Sequence, residues 1–238
     1  MPERYNPNYI HHQNSKIVSV IREVVFGLED GMVSTLGAIT GIAVGSADRF
    51  TVILAGMVII SVESISMGIG SYISNLSEKE VIKRKLYEEK KEIKDFPHEE
   101  KVELRQIYLA DGWPKELAIK MAEAAAKDRK LMLLEMAYHE LNISPEDTGH
   151  PWKGGVAMFF SYVVGGLIPL AAYFLLPLNT AIYISITVTM IALFLLGAST
   201  TRYSKGNWLK TGSRIFILGG IALVVGYLIG EFANMVIS

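Results

Sequence analysis

The sequence predicts an all-α membrane protein with five transmembrane helices and a cytosolic three-helix insert between spans two and three. Half of the 238 residues are hydrophobic, but the charged residues are unevenly distributed. Residues 154–201 contain no Asp, Glu, Lys, Arg or His over 48 positions. Residues 77–153, in contrast, hold 15 of the 23 Lys and Arg and 17 of the 24 Asp and Glu. This division indicates a membrane part with a water-exposed insert.

The lengths of the apolar segments predict five membrane crossings. About 20 apolar residues cross a hydrocarbon core of about 30 Å, so the 48-residue neutral stretch is long enough for two helices. Pro177 marks the turn between them. Residues 31–47 are neutral but short, so a span built on them must also recruit Asp30. The predicted spans are residues 24–47, 50–74, 155–176, 180–201 and 214–237.

The positions of Lys and Arg predict the orientation of these spans. Of the 23 Lys and Arg, 22 lie before span one, in the insert or between spans four and five, and only Arg49 lies on the alternate side. We therefore expect the N-terminus and the insert in the cytosol and the C-terminus on the far side. The predicted parts are residues 1–76 with spans one and two, residues 77–153 as the cytosolic helical domain, and residues 154–238 with spans three to five.

Composition excludes several classes of function. The net charge of −1 provides no basic field for nucleic acid, and the absence of cysteine excludes disulfides, thiolate metal sites and a cysteine nucleophile. Membrane lipid is the expected surrounding, and no nucleic acid is expected as a partner.

Acidic residues inside predicted spans are the first candidates for function, because a carboxylate in hydrocarbon is costly and rare. Asp30 lies near the cytosolic end of span one, and Glu63 lies midway along span two. Met67 follows Glu63 by four residues, so both side chains project from one helix face. A carboxylate and a thioether together suit a borderline divalent cation such as Fe²⁺. Packing alone would also explain Met67, and Glu23 is either a first ligand of the path or a solvated charge.

Span one also carries Gly37, Gly41 and Gly45 at four-residue spacing. Small residues at this spacing allow two helices to approach closely in lipid. The partner helix belongs either to the same chain or to a second copy, and the small number of spans favours a homodimer.

Proline and glycine divide the insert into three predicted helices. These are residues 78–94, residues 99–110 and a helix from Pro114 to about Leu141. Each helix carries candidate metal ligands on one face: Glu89 and Glu92, Glu100 and Glu103, and Met136 and Glu140. Carboxylate pairs brought together repel unless a cation binds between them. Taken singly, each glutamate is more often a surface charge, and His139 is a further candidate ligand.

The chain resembles the vacuolar iron transporter family from about Arg22 to Gly230. The resemblance is carried by REVVFGLEDG in span one, SISMGIGSYIS in span two, SYVVGGLIPL in span three and, less specifically, YLIGEF near the end. In the insert it is carried by the spacing of the two Glu-x-x-Glu pairs and by LLEMAYHELNI.

The resemblance implies a homodimeric transporter that exchanges Fe²⁺, and also Mn²⁺ or other divalent ions such as Zn²⁺, for protons. It implies that Asp30 and Met67 lie on the translocation path and that the six insert residues named above hold metal on the cytosolic side. Two positions depart from the family pattern. Ala137 stands where a second methionine is common, and Ile59 stands where the family often has a glutamate, which Glu63 is expected to replace.

We therefore expect a transporter that moves Fe²⁺ out of the cytosol and is not an enzyme. The alternatives are a membrane-anchored metal sensor or storage module, a ferroxidase and a purely structural membrane protein. A di-iron carboxylate enzyme would show paired Glu-x-x-His motifs, and Glu135 and His139 are four residues apart instead. The lack of a targeting segment favours a prokaryotic cell membrane, with a vacuolar or other organelle membrane as the alternative.

Overall fold

A computed structural model of the chain describes residues 17–143 and 150–237, and within them the fold is entirely helical, as expected. The helices are α1 (Ile17–Ser46), α2 (Arg49–Asp95), α3 (Pro97–Ala110), α4 (Lys115–Ala125), α5 (Arg129–His139), α6 (Pro151–Leu175), α7 (Leu178–Ser204) and α8 (Trp208–Ile237). Arg4 and Lys16, which contribute to the predicted orientation, and residues 144–149 of the predicted insert lie outside the described residues.

Four helices, α2, α6, α7 and α8, are long and apolar enough to cross a membrane. The chain is therefore a multi-pass membrane protein. The first predicted span, α1, does not reach the same hydropathy although its 30 residues are long enough. Glu29 and Asp30 lower the hydropathy of its middle, and glycines and threonines lower that of its second half.

The described residues form two compact units, residues 17–71 with residues 153–237 (the membrane unit) and residues 72–143 with residues 150–152 (the insert unit). The membrane unit has two buried apolar clusters. One joins α1, α2, α6 and α7 around Ile39, Val52 and Leu170, and the other joins α1, α7 and α8 around Leu36 and Leu193. The insert unit has its own core, which contains Ile93, Leu104, Tyr108 and Met136.

The glycine face of α1 is occupied by α8 of the same chain. A Cβ atom added at Gly41 would lie 2.5 Å from the carbonyl oxygen of Gly226, and one added at Gly45 would lie 3.2 Å from that of Gly230. Gly37 meets Ala222 in the same way. The prediction of a homodimer seam through these glycines is therefore wrong. The small residues of α8 complement them, and the intramolecular alternative is the correct one.

Close backbone approach also joins α1 to α6. The Cβ position of Gly27 lies 2.8 Å from the Cβ atom of Ser161, and that of Gly165 lies 2.5 Å from the carbonyl oxygen of Leu28. Only glycine permits helices to pack at such short range in lipid. This contact holds the part of α1 that carries Asp30 against the middle of α6.

The third predicted helix of the insert is in fact two helices, α4 and α5. Asp128 interrupts it, because its carboxylate accepts hydrogen bonds from the backbone N–H groups of Lys130 (2.8 Å) and Leu131 (3.5 Å) and so caps the start of α5. An aspartate in this role favours a new helix start over a continued helix. The prediction of one continuous helix overlooked this cap.

The packing of α1 on α8 predicts a strong effect of substitution at Gly41. A leucine there would force the two backbones apart, and we expect a lower melting temperature in detergent, corresponding to about 1–3 kcal/mol. Gly70→Ala is the matched control, because its Cβ position has no neighbour within 4 Å and alanine favours a helix. Equal melting temperatures for Gly41→Leu and wild type would contradict the close packing.

Candidate functional site

A buried glutamate connects α1 to α2 in the membrane unit. Glu23 is only 7% exposed, and its Oε2 accepts a hydrogen bond of 3.0 Å from the hydroxyl of Ser71. Its Oε1 lies 3.1 Å from the guanidinium of Arg22, whose own side chain is 68% exposed. The contact with α2, and not the water-exposed Arg22, therefore determines where this carboxylate lies. Of the two interpretations of Glu23, the solvated charge is wrong.

The partner of Glu23 lies on a helix face that also carries the other candidate residues of α2. Glu63, Met67 and Ser71 follow one another at four-residue intervals, so they share one face. Because α1 and α2 are joined by a two-residue connection, they run antiparallel. The Glu23–Ser71 hydrogen bond fixes their register, and a rise of about 1.5 Å per residue places Asp30 near the level of residue 64. Asp30 therefore lies at the height of Glu63 and Met67.

Asp30 is half-buried, and its carboxylate accepts a hydrogen bond of 2.9 Å from the hydroxyl of Ser34, one turn along α1. The hydroxyl of Tyr162 on α6 lies within electrostatic range of both Asp30 and Glu63. The two carboxylates thus share one polar neighbourhood formed by α1, α2 and α6. Glu29 adds a third acidic group beside Asp30.

The other two residues of the predicted translocation path, Met67 and Glu63, differ in their surroundings. Met67 is half-buried, whereas Glu63 is exposed on the surface of the single chain. Apolar side chains surround Glu63 on this face of α2, including Val62 and Ile65, which are 60% and 53% exposed. This charged position therefore lies in a strip of exposed apolar surface within a helix that is long enough to span a membrane.

The insert unit brings its predicted glutamates together from α2, α3 and the end of α5. Glu89 and Glu100 are 3% and 6% exposed, whereas Glu92, Glu103 and Glu140 are exposed. One oxygen of each buried carboxyl group, Oε1 of Glu89 and Oε2 of Glu100, has no hydrogen-bond partner among the described residues. Buried carboxylate oxygens without donors are costly. The two buried glutamates and the three exposed ones form the carboxylate cluster of the insert.

The charges of this cluster act on one another. Burial, followed by the charges of Glu140 and Glu100, raises the pKa of Glu89 to about 8. Burial is also the main reason that the pKa of Glu100 is raised, with further contributions from Glu103 and Glu92. The pKa of Glu140 is raised as well, because its carboxyl group is partly covered although the residue as a whole is exposed, and because Glu103 and Glu92 lie nearby. At neutral pH the cluster therefore retains protons that a bound cation would displace.

The other two candidates in the insert occupy different environments. Met136 is fully buried in the apolar core of the insert unit, which also contains Ile93, one turn after Glu89. His139 belongs to a separate group. Its Nδ1 lies 2.9 Å from Oδ2 of Asp111, and its Nε2 lies 3.6 Å from Oε2 of Glu135.

Within the described part of the chain, no three His, Asp or Glu side chains are already arranged to hold a metal ion. The carboxylate oxygens of the cluster and the thioether of Met67 are nevertheless chemically suited to a divalent cation of borderline softness. Sequence reasoning did not identify Ser71 and Tyr162 as site residues. The i, i+4 spacing of Ser71 from Met67 was a usable signal, whereas nothing in the sequence places Tyr162 opposite Asp30.

Comparison with known proteins agrees with these features. The model of the VIT family matches residues 21–231 of the chain. The chain is 27% identical over 218 residues to vacuolar iron transporter 1 of Tulipa gesneriana, covering 91% of this chain and 88% of that protein. It is 25% identical to vacuolar iron transporter 1 of Arabidopsis thaliana (93% and 90% covered) and 29% identical to the vacuolar iron transporter of Toxoplasma gondii (92% and 76% covered). The chain therefore belongs to the VIT family.

Proposed function

We propose that the protein transports Fe²⁺ out of the cytosol across its membrane in exchange for protons. The observation that carries the proposal is the buried Glu23–Ser71 contact, because it sets the register that brings Asp30 level with Glu63 and Met67. Relatives named vacuolar iron transporters support iron as the cargo. Mn²⁺ and Zn²⁺ fit the same ligand types.

In this proposal α1 also crosses the membrane, although its hydropathy is low, so that the chain has five transmembrane helices. Its glycine face packs along α8, and its Gly27 packs on α6, so its polar residues are covered by protein. Helices with intramembrane carboxylates are stabilised when those groups face the bundle interior. The insert unit then lies on the cytosolic side, as the distribution of Lys and Arg predicts.

We further propose that the transporter is a homodimer, with the second copy covering the α2 face that carries Glu63. The glycine face of α1 is not available, because α8 fills it. An exposed carboxylate in hydrocarbon costs about 2.5–3.5 kcal/mol on insertion scales, and a second copy would remove that exposure. The metal would then pass between the two copies, along the face formed by Glu63 and Met67.

The carboxylates provide a mechanism for coupling metal to protons. Fe²⁺ requires the ionised form of Asp30 and Glu63, whereas protons arriving from the far side neutralise that form and release the metal. Because one site cannot hold both ligands at full strength, the competition couples the two movements. The thioether of Met67 contributes affinity for Fe²⁺ without adding a titratable group.

The carboxylate cluster of the insert is proposed to collect the metal before transport. Glu89, Glu92, Glu100, Glu103 and Glu140 supply oxygens, and Met136 requires a small repacking of the core to present its sulfur. The buried oxygens of Glu89 and Glu100 that lack a hydrogen-bond partner support this role, since a cation would satisfy both.

The membrane is proposed to be that of a vacuole or another organelle. The names of the relatives favour this location over the prokaryotic cell membrane expected from the sequence.

The path is tested by Fe²⁺ uptake into sealed vesicles that contain the full-length protein, with and without a pH gradient. We expect Asp30→Asn and Glu23→Gln to reduce uptake at least about tenfold, because each removes a charge-assisted contact. Glu231→Gln is the control, since this exposed glutamate of α8 accepts a hydrogen bond from Tyr227, one turn away on the same helix. Unchanged uptake in both path variants would contradict the path. Metal binding without any uptake by wild type would favour the sensor or storage alternative.

Metal binding by the insert is tested on the whole protein by calorimetry with Fe²⁺, Mn²⁺ and Zn²⁺. Glu89→Gln and Glu100→Gln should each lower the affinity about tenfold or more, because a charged ligand is replaced by a neutral one. Glu99→Gln is the matched control, since Glu99 is exposed beside Glu100. Equal affinities for the three variants would exclude the buried pair as ligands.

The stability of the metal-free protein should fall as the pH rises from about 5 to 8. The pKa of Glu89 is about 8 in the folded protein and 4.5 in the unfolded chain, so the folded state binds more protons in this interval. Glu89→Gln should flatten the dependence of melting temperature on pH, while Glu88→Gln, on the exposed side, should keep it. An identical pH profile for wild type and Glu89→Gln would show that Glu89 titrates normally.

A further inference from the structure

The interior of the membrane unit contains hydroxyl groups without a hydrogen-bond partner. Five side chains of α1, α6 and α7 are 0% exposed, and no partner for their hydroxyl oxygens exists among the described residues. They are Thr35, Thr40, Tyr162, Tyr173 and Thr189. Ser185 of α7 is equally buried and donates a hydrogen bond of 2.7 Å to the carbonyl oxygen of Pro169.

Hydroxyls on the outer surface of the same bundle behave differently. Ser61, Thr187 and Ser199 are exposed, and each donates to a carbonyl three or four residues earlier in its own helix, at 2.7–2.8 Å. This local bond is the usual solution for a serine or threonine in a membrane helix. The buried threonines have not adopted it, so their hydroxyls remain available to other partners.

The buried hydroxyls extend from Asp30 towards the far end of α6. At the inner end, the Tyr162 hydroxyl lies near Asp30 and near the hydroxyls of Ser34 and Thr35 without good hydrogen-bond geometry. A Cβ atom at Gly166, one turn further along α6, would lie 2.9 Å from Oγ1 of Thr35. Eleven residues separate Tyr162 from Tyr173, a rise of about 16 Å, or half of a hydrocarbon core.

At the outer end, the hydroxyls approach the surface by two routes. Tyr173 lies near Ser185, and its carbonyl oxygen accepts a hydrogen bond of 2.6 Å from the exposed Arg49. Thr40 lines a groove of about 420 Å³ between α1, α7 and α8, where its neighbours include the exposed Asn179 and Tyr183. Thr189 lies one turn of α7 inward from Ser185, so the two share one face of the helix.

Five unpaired hydroxyls in a dry apolar interior would be unfavourable, and ordered water with several polar partners is the usual means of satisfying such groups. Hydroxyls bridged by water also transfer protons, because each oxygen accepts one proton and donates its own. At the inner end of the series lie the charged and titratable groups Glu29 and Asp30 of α1 and Tyr162 of α6, with Glu63 exposed on α2.

We propose that these hydroxyls and the water between them form a proton relay inside a single chain, which connects the far side to Asp30. The relay is separate from the metal path on the exposed α2 face, so protons and metal follow different routes through the membrane unit. The proposal rests on the proton exchange proposed above. Each transfer passes one proton from oxygen to oxygen along the series.

The test uses the full-length protein in phosphatidylcholine–phosphatidylglycerol vesicles with a trapped pH-sensitive dye and Fe²⁺ under anoxic conditions. Thr189→Val replaces the hydroxyl with a methyl group of similar size, Tyr173→Phe removes the hydroxyl, and Thr187→Val, at an exposed position on the same helix as Thr189, is the control. We expect both relay variants to slow proton-coupled uptake at least about tenfold. Exchange of isotopically labelled Fe²⁺ at equal concentrations and equal pH, which needs no net proton movement, should match wild type.

If both relay variants take up Fe²⁺ with protons as fast as wild type, the relay is overturned and the proposed function remains intact. The relay is also overturned if the variants lose isotope exchange and proton-coupled uptake to the same extent. If wild type itself moves no protons with Fe²⁺, the proposed proton exchange fails and the relay fails with it. A second readout is the melting temperature. Removing an unpaired hydroxyl from a dry core raises it, whereas removing one from a hydrated network does not, so a rise in both variants would also overturn the relay.

Discussion

The arrangement of the membrane unit depends on how carboxylates are kept within a helix bundle. Glu23 is covered by protein and receives a hydrogen bond from Ser71, and Asp30 receives one from Ser34. Each hydrogen bond lowers the free-energy cost of an ionised group away from water. The Glu23–Ser71 contact also fixes the register of α1 on α2, so a charged group determines which side chains of α2 lie opposite α1.

Glycine makes this arrangement sterically feasible. The helix that carries the carboxylates is less apolar than the four candidate spans, and other helices cover it closely. Gly41 meets α8 on one side, and Gly27 meets α6 on the other. Without a hydrophobic driving force between helices in lipid, such contacts depend on van der Waals packing at short range. The glycines of α1 therefore serve the charged residues of the same helix.

Much of the fold was readable from the sequence, because membrane helices have a strong apolar signal. The four apolar spans were found near their observed positions, and the break at Pro97 was correct. The start of α5 was missed because the capping role of Asp128 depends on local backbone geometry within an otherwise helical pattern. The sequence could not show which helix packs on the glycine face of α1. The same stripe of small residues fits a helix of the same chain and a helix of a second copy.

The candidate site was only partly readable, for a similar physical reason. Spacing placed Glu63 and Met67 on one helix face, but it could not show that Glu23 is buried or that Tyr162 faces Asp30. Burial depends on tertiary contacts, and burial is what separates Glu89 and Glu100 from their exposed neighbours at the same spacing. In the insert this burial leaves two acidic side chains with raised pKa values and an unpaired oxygen each. A cation that replaced those protons would relieve both costs at once, which is the physical basis of the metal site proposed for the insert.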